Sequence, residues 1–194
     1  KKGELVEKIA KTSKAVASNV NSYAQFDDNV LFIDKNGFLA EFDRENKTTN
    51  TIGRPGFYLS DTPVKFFKSA SGEIAFLDPS GGVFIFDQDR RIITLDGGAL
   101  NVSFDSEGGK ILIQKERSVE VIWRRDNTRQ PFQKKGDQDT ILKLDSDILD
   151  ARWLYQDDAH IIIRTLDGIF LMELDGRGGR NTIELASGKT DELF

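Results

Sequence analysis

The sequence predicts an all-β fold, a β-propeller of which about four four-stranded antiparallel blades are visible. The first observation is a repeat, because "FIDKNGFLAEFD" (32–43) returns as "FLDPSGGVFIFD" (76–87), with Asp34 and Asp78 44 residues apart. The second is its continuation, because Asp87 and Asp175 are 88 residues apart, which is two more periods of the same length. A four-stranded unit that recurs every 40 to 45 residues or so is the period of a propeller blade.

Four segments share one order of elements: an aromatic-bearing strand, a polar turn and three further short strands. They cover residues 18–60, 61–98, 99–147 and 148–187. Their apolar runs, such as "VLFID", "IAFLD", "KILIQ" and "HIIIR", have strand length and composition, and Gly, Asp, Asn and Ser separate them as in turns. An irregular β-sandwich is the alternative, but a phase that holds over four units favours the propeller.

Residues 1–17 have two interpretations, the last strand of a preceding blade or a short amphipathic helix. The spacing from Ile9 to Ile33 nearly equals that from Ile52 to Leu77, which favours the strand. With that strand the chain holds about four and a half blades, so we expect it to be part of a larger ring of roughly six to eight. Open blade edges would then promote self-association.

Composition excludes several classes of function. The 194 residues are 38% hydrophobic and 30% charged, and the net charge of −5 comes from interspersed signs without a basic stripe, so we expect no nucleic-acid partner. The absence of cysteine excludes disulfides, thiol catalysis and Cys-ligated zinc. No apolar run approaches the roughly 18 to 20 residues of a membrane span.

No catalytic, cofactor-binding or metal-binding residue is predicted. His160 is the only histidine and has no nucleophile signature to accompany it. Paired carboxylates could in principle form a glycosidase site, but Asp34, Asp78 and Asp167 recur in equivalent turns, as turn chemistry predicts.

One segment departs from the repeat, "RRDNTRQPFQKKGDQDT" at 124–140. Long loops on a rigid scaffold often carry binding residues. We therefore predict a candidate interaction loop, formed by Arg124, Arg125, Arg129, Phe132, Lys134 and Lys135. The alternative is a solvated hairpin extension without a partner.

The fourth segment resembles a WD-repeat-like blade of the Tol-type bacterial kind, and is similar to the propeller region of PEGA-domain envelope proteins. The resemblance is strongest in "ILDARWLYQDDAHIIIRTLDGIFLMELDGRGGRN" (148–181). It rests on Trp153, Asp157, Asp158, Ile161 to Ile163, Asp167, Gly168, Asp175 and Gly176.

The functional prediction is a non-catalytic scaffold or binding module for proteins or cell-envelope components. The resemblance implies a bacterial envelope protein whose propeller faces the periplasm or the exterior. Two alternatives stay open. One is an accessory segment of a glycosidase or peptidase whose active site needs blades absent from this chain, and the other is a purely structural repeat.

Overall fold

The chain is built from antiparallel β-meanders, in a computed structural model that describes residues 4–9, 12–155 and 157–188. A two-stranded hairpin comes first, with strands β1 (Glu4–Ile9) and β2 (Thr12–Ser18). Sheet 1 contains β3 (Val20–Phe26), β4 (Asn29–Asp34), β5 (Leu39–Asp43) and β6 (Thr48–Gly53). Sheet 2 contains β7 (Lys65–Lys68), β8 (Ile74–Leu77), β9 (Val83–Phe86) and β10 (Ile92–Asp96).

The second half repeats this plan. Sheet 3 contains β11 (Ala99–Phe104), β12 (Lys110–Lys115), β13 (Ser118–Trp123) and β14 (Gln138–Lys143). Sheet 4 contains β15 (Ile148–Leu154), β16 (Asp157–Thr165), β17 (Gly168–Glu173) and β18 (Thr182–Ser187). Each sheet lies within one of the four predicted segments, and the described residues contain no helix that could cross a membrane.

The helix interpretation of residues 1–17 is wrong for the residues that the structure describes, because 4–9 and 12–18 form paired strands. This hairpin has the pairing of the last two strands of each sheet, including the bulge. In the register of the hairpin, Leu5 pairs with Ala17 and Val6 pairs with Ala15, which leaves Val16 as the unpaired residue of a β-bulge. Ile52 is the unpaired bulge residue between β5 and β6 in the same way. Hairpin β1–β2 therefore corresponds to the third and fourth strands of a sheet, although its membership in a preceding blade stays a prediction.

Contacts divide the chain into two compact units. The first contains hairpin β1–β2, sheet 1 and sheet 2, and the second contains sheets 3 and 4 together with the turn Ser69–Glu73. The prediction of one continuous propeller segment over 1–194 stays a prediction.

In the first unit, sheet 1 is covered on both faces. One face, with Leu31, Ile33 and Leu39, packs on Phe76 and Phe84 of sheet 2. The opposite face packs against hairpin β1–β2 through Val20, Val30, Phe32, Ala40, Phe42, Leu5, Val16 and Ala17. Alternation along each strand directs successive side chains to these two faces, so both are apolar.

In the second unit, sheets 3 and 4 share one apolar cluster. Sheet 3 contributes Leu112, Val119, Val121, Trp123 and Ile141, and sheet 4 contributes Ile148, Ala151, Ile161, Ile163, Met172 and Leu174.

Lys110 lies at the border of this cluster. Its ammonium is 5.3 Å and 5.6 Å from the ring centroids of Trp123 and Trp153, and 2.7 Å from the buried Asp105 carboxylate. Cation–π attraction and the ion pair together compensate for the loss of hydration of this cation.

The predicted turn role of Asp34 and Asp78 agrees with the hydrogen bonds of both turns. Asp34 Oδ1 accepts from the backbone N–H groups of Asn36 at 2.8 Å and Phe38 at 2.9 Å, while Gly37 adopts a positive φ of 82°. Asp78 Oδ1 accepts from the backbone of Ser80 and Gly82 at 2.9 Å and from the Ser80 hydroxyl at 2.7 Å. These contacts close the tight turns between the second and third strands of sheets 1 and 2.

Asp78 also makes a hydrogen bond outside its own turn, because its second carboxylate oxygen accepts from the backbone N–H of Tyr58 at 2.8 Å. Tyr58 belongs to the connection between β6 and β7, so a single buried carboxylate fixes this connection to sheet 2.

Replacing Asp78 should therefore cost more stability than replacing its repeat equivalent. We expect Asp78→Ala to lower the free energy of unfolding by about 2–3 kcal/mol, because buried N–H donors lose their acceptor, and Asp34→Ala by about 1 kcal/mol. Urea denaturation of both variants measures the difference. Equal losses would show that the Tyr58 contact contributes nothing.

Candidate functional site: the β13–β14 loop

The loop between β13 and β14 has a fixed base. The backbone N–H of Trp123 donates to Asp137 O at 2.9 Å, and that of Gly136 donates to Trp123 O at 2.7 Å. Further along, Asn127 and Gln133 exchange backbone hydrogen bonds, and the Asn127 side-chain amide donates to Pro131 O at 2.8 Å. The loop therefore extends the β13–β14 hairpin and is held by its own backbone hydrogen bonds.

Two acidic side chains fix the return of the loop. The Asp126 carboxylate accepts the backbone N–H of Lys135 at 2.8 Å, and the Asp137 carboxylate accepts that of Lys134 at 2.6 Å. Because these acids bind main-chain N–H groups, the ammonium groups of the two lysines extend from a backbone that the turn holds in place.

Phe132 lies near the tip of this hairpin, and 69% of its surface is exposed. A cleft of about 460 Å³ opens beside it, lined by Asp126, Asn127, Thr128, Phe132, Gln133, Lys134 and Asp137. An exposed phenyl ring beside a cleft that polar residues line offers apolar contact area together with hydrogen-bonding groups.

The predicted cations do not share one environment. Arg125, Arg129, Lys134 and Lys135 are exposed, and Arg125 pairs with Glu107 at 2.5 Å. Among the residues that the structure describes, no ion pair joins Arg129, Lys134 or Lys135 to a carboxylate. Lys134 lines the cleft together with Phe132, and Arg129 and Lys135 lie three residues from Phe132 in the chain.

Arg124 is different, because it is buried and does not reach the loop surface. Its Nε and Nη2 donate to the two carboxylate oxygens of Glu73 at 3.1 Å and 2.9 Å, while its backbone N–H donates to Gly109 O. This bidentate pair joins the start of the loop to the turn Ser69–Glu73. The prediction that Arg124 belongs to the interaction surface is therefore wrong, because Arg124 supports the loop from inside and is not available to a partner.

Two arginines outside the predicted loop contact residues of the segment 124–140. Arg177, in the β17–β18 turn, donates to the side-chain oxygen of Gln130 at 2.5 Å and to the Asp175 carboxylate. Arg180 donates to the Asp139 carboxylate at 2.9 Å and to the carbonyl of Glu173 at 2.9 Å. The segment "DGRGGRN" (175–181) has the composition of a turn, and only its two arginines could have indicated this contact from the sequence.

His160 occupies a separate place at the start of β16. Its Nδ1 lies 2.8 Å from Asp157 Oδ2, and Asp157 Oδ1 accepts the backbone N–H of Ala159 at 2.8 Å. This backbone hydrogen bond, assisted by His160, lowers the pKa of Asp157. Within the described ranges, no group of three or more His, Asp or Glu side chains is arranged to hold a metal ion.

Comparisons with known proteins concern the fold. No protein-family model and no curated protein matches the chain. Among solved structures, the chain is similar to the N-terminal domain of Nup159, with 11% identity and a TM-score of 0.52 over 92% of this chain and 50% of that one.

A chain of an S. cerevisiae complex, in which Dbp5 is bound to Nup159, Gle1, IP6 and ADP, gives 12% identity, a TM-score of 0.52 and the same coverage. YCF48 bound to the D1 peptide gives 13% identity and a TM-score of 0.46 over 89% of this chain and 58% of that one.

The class of fold follows from the similarity to the Nup159 N-terminal domain and from the four meander sheets: this is an all-β protein with the structure of a partial β-propeller. The chain spans about half the length of the first two of these solved chains, at 50% coverage of each.

The buried position of Arg124 leads to a stability prediction. We expect Arg124→Ala to destabilise the protein by about 3–5 kcal/mol, because Glu73 would keep a buried charge without its partner. Arg125→Ala is the matched control, and it should cost less than about 1 kcal/mol because its pair with Glu107 is exposed. Thermal and urea unfolding would compare them, and a mild effect of Arg124→Ala would contradict the buried pair.

The β17–β18 turn gives a prediction about protonation. The side chain and backbone N–H groups of Arg177 lower the pKa of Asp175 from 3.8 to about 2. A lowered pKa means that the pair stabilises the turn above pH 3.8 and that this contribution is lost as the pH falls through about 2. Arg177→Ala should return the Asp175 pKa toward 3.8, as measured by NMR titration of its carboxyl carbon. An unchanged pKa would exclude Arg177 as the cause.

Proposed function

We propose that this protein is a non-catalytic binding module whose β13–β14 loop contacts an extended acidic segment of a partner protein. The observation that carries the proposal is Phe132, a large apolar side chain held exposed near the tip of a hydrogen-bonded loop. Exposed aromatic anchors in a fixed setting are typical of residues that dominate binding energy.

The fixed backbone of the loop favours binding, because little conformational entropy is lost when a partner docks. Arg124 and Glu73 hold the start of the loop, Asp126 and Asp137 hold its return, and Gln130 accepts from Arg177. Only side chains need to be ordered on contact.

The charge around Phe132 indicates the chemistry of the partner. The protein carries a net charge of −5, yet Arg129, Lys134 and Lys135 are exposed on one loop, whereas Arg125 and Arg177 are neutralised by Glu107 and Asp175. A local positive surface on an acidic protein attracts carboxylates and orients an approaching acidic segment.

The structural comparisons support an interaction role in general terms. The S. cerevisiae structure that resembles this chain is a complex in which Dbp5 is bound to Nup159. A propeller scaffold that presents loops to a partner by surface complementarity, without a reactive group, is consistent with this architecture.

The cell-envelope role is a finer part of the proposal. The resemblance of residues 148–181 to Tol-type blades motivates a bacterial protein at the periplasmic or exterior side of an envelope, with another envelope protein as the partner. Fractionation of the source cells, followed by detection of the chain with an antibody, tests this location separately from the binding chemistry.

The binding test uses a displayed library of random 12-residue peptides panned on the full chain in buffer of physiological ionic strength. We expect enrichment of peptides that combine Asp or Glu with an apolar residue. Phe132→Ala should weaken binding of the best synthetic peptide by tenfold or more, and a Lys134→Glu, Lys135→Glu double variant should abolish most of it. Fluorescence anisotropy gives the dissociation constants.

Tyr23→Ala is the matched control, since Tyr23 is also an exposed aromatic residue but lies on β3. It should leave peptide affinity unchanged. If no acidic peptides are enriched, or if the Phe132 and lysine variants bind as well as the unmodified protein, the loop is a solvated extension and the purely structural alternative is favoured.

A further inference from the structure

Hairpin β1–β2 has an edge with which no strand of the described residues pairs. In all four sheets, the third strand pairs with the second strand on one side and with the fourth strand on the other. The bulge at Val16 places β1 in the register of a third strand, yet β1 pairs with β2 alone. The side of β1 on which a second strand would lie is therefore open.

The register identifies the backbone groups on that side. Successive residues of an antiparallel strand direct their N–H and C=O groups to opposite sides. The N–H of Arg124 donates to Gly109 O, so every second residue of β13, counted back from Arg124, faces β12. The corresponding residues of β1 are Glu4, Val6 and Lys8. We call the backbone groups of these three residues the open edge.

The hairpin packs on sheet 1 in the way that sheet 3 packs on sheet 4. Leu5 takes the register position of Val119. Val16 takes the register position of Ile141. On the sheets that they cover, the matching positions are Val20, Val30, Phe32 and Phe42 in sheet 1, and Ile148, Ile161, Ile163 and Met172 in sheet 4.

An exposed aromatic residue marks the part of sheet 1 that the hairpin does not cover. Tyr23 is opposite Phe32 in the register of β3 and β4, so both side chains lie on the face toward the hairpin. Tyr23 is nevertheless 62% exposed. Its equivalent Phe66 is half-buried, and its equivalents Val102 and Ala151 are 1% and 2% exposed.

Sheets 3 and 4 show what lies beside this position when the second strand is present. Gln114 of β12 donates from its side-chain amide to Ile148 O at 3.1 Å and accepts from the backbone N–H of Ala151 at 3.2 Å. The second strand of one sheet thereby holds the first strand of the next. Val20 and Tyr23 are the counterparts of Ile148 and Ala151 in sheet 1. A strand added to β1 would lie in the same way beside Val20 and Tyr23.

We propose that the open edge binds an extended apolar segment of a partner protein as an added β-strand, antiparallel to β1. The backbone groups of the open edge require a strand, since only a strand satisfies alternate N–H and C=O groups along its length. Tyr23 supplies the side-chain contact. This site is separate from the β13–β14 loop and does not depend on the function proposed for that loop.

The second strands of the repeat indicate the sequence of the partner segment. Strands β4, β8 and β12 each have four consecutive buried residues, of which at least three are apolar, because both of their faces are covered. The partner segment should contain a similar apolar run. The sequence of β1, ELVEKI, has no such run, which argues against a second copy of β1 as the occupant.

The probe is a fluorescein-labelled peptide with the sequence GGKILIQKER of residues 108–117, which includes β12. Fluorescence anisotropy with the full chain, in buffer of physiological ionic strength, should give a dissociation constant on the order of tens of micromolar, because a flexible peptide loses entropy on docking. The control peptide carries Ile113→Pro, which keeps the charge but removes the N–H that would face Val6. It should bind at least tenfold more weakly.

Amide hydrogen exchange of the full chain, measured by NMR with and without the peptide, locates the bound strand. The N–H groups of Val6 and Lys8 should exchange roughly tenfold more slowly at saturation, because they gain an acceptor. Those of Leu5 and Glu7 should change less, because they face β2.

Two variants test the edge and the side-chain contact separately. Val6→Pro removes a donor from the open edge and no β1–β2 hydrogen bond, so it should abolish peptide binding. Tyr23→Ala should weaken the peptide at least fivefold. Tyr58→Ala is the matched control, since Tyr58 is 57% exposed but lies in the β6–β7 connection, and it should leave the affinity unchanged. Circular dichroism melts should confirm that all three variants fold.

Three results would overturn the proposal. The first is a peptide that does not bind, or that binds without slowing exchange in β1. The second is full affinity of the Val6→Pro variant. The third is slow exchange in β1 that increases with protein concentration in the absence of peptide, because a second copy would then occupy the edge. None of these results affects the test with acidic peptides at the β13–β14 loop.

Discussion

The fold depends on one constraint: a four-stranded sheet with apolar side chains on both faces needs a cover on each face. In sheet 2 every residue of β8 and β9 is buried, so neither face of these inner strands is available to water. Burial of branched aliphatic and aromatic side chains, at about 25 cal/mol per Å² of apolar surface, supplies the main favourable term. The small meander cannot provide this alone, and stability therefore comes from stacking of one sheet on the next.

Local features of the sequence were sufficient to predict the sheets and their turns. The strands of each sheet are contiguous in the chain, so the pairing of β4 with β5 or of β16 with β17 follows from a turn of a few residues. The Asp34 and Asp78 carboxylates accept from backbone N–H groups two and four residues further along the chain. All the residues of such a turn therefore lie within one short sequence motif. The all-β class and the repeat were predictable for this reason.

Contacts between distant residues were not predictable in the same way. Arg124 and Glu73 are 51 residues apart, and nothing in "WRRDN" distinguishes the buried Arg124 from the exposed Arg125. Arg177 reaches Gln130 across 47 residues, so a turn that looked unrelated adjoins the candidate loop. The composition of that loop was visible in the sequence, but the division between supporting and exposed cations depends on which side chain meets a buried acid.

The arrangement of Lys110 between two indole rings has a spectroscopic consequence. Trp123 and Trp153 are the only tryptophans of the protein, and both belong to the second unit. Their fluorescence therefore reports on the packing of sheets 3 and 4, while the tyrosine- and phenylalanine-bearing first unit contributes no signal at tryptophan excitation. Opening of that pair of sheets would withdraw the ammonium from the rings and expose them to water, so the emission maximum can follow one half of the molecule while circular dichroism follows the whole.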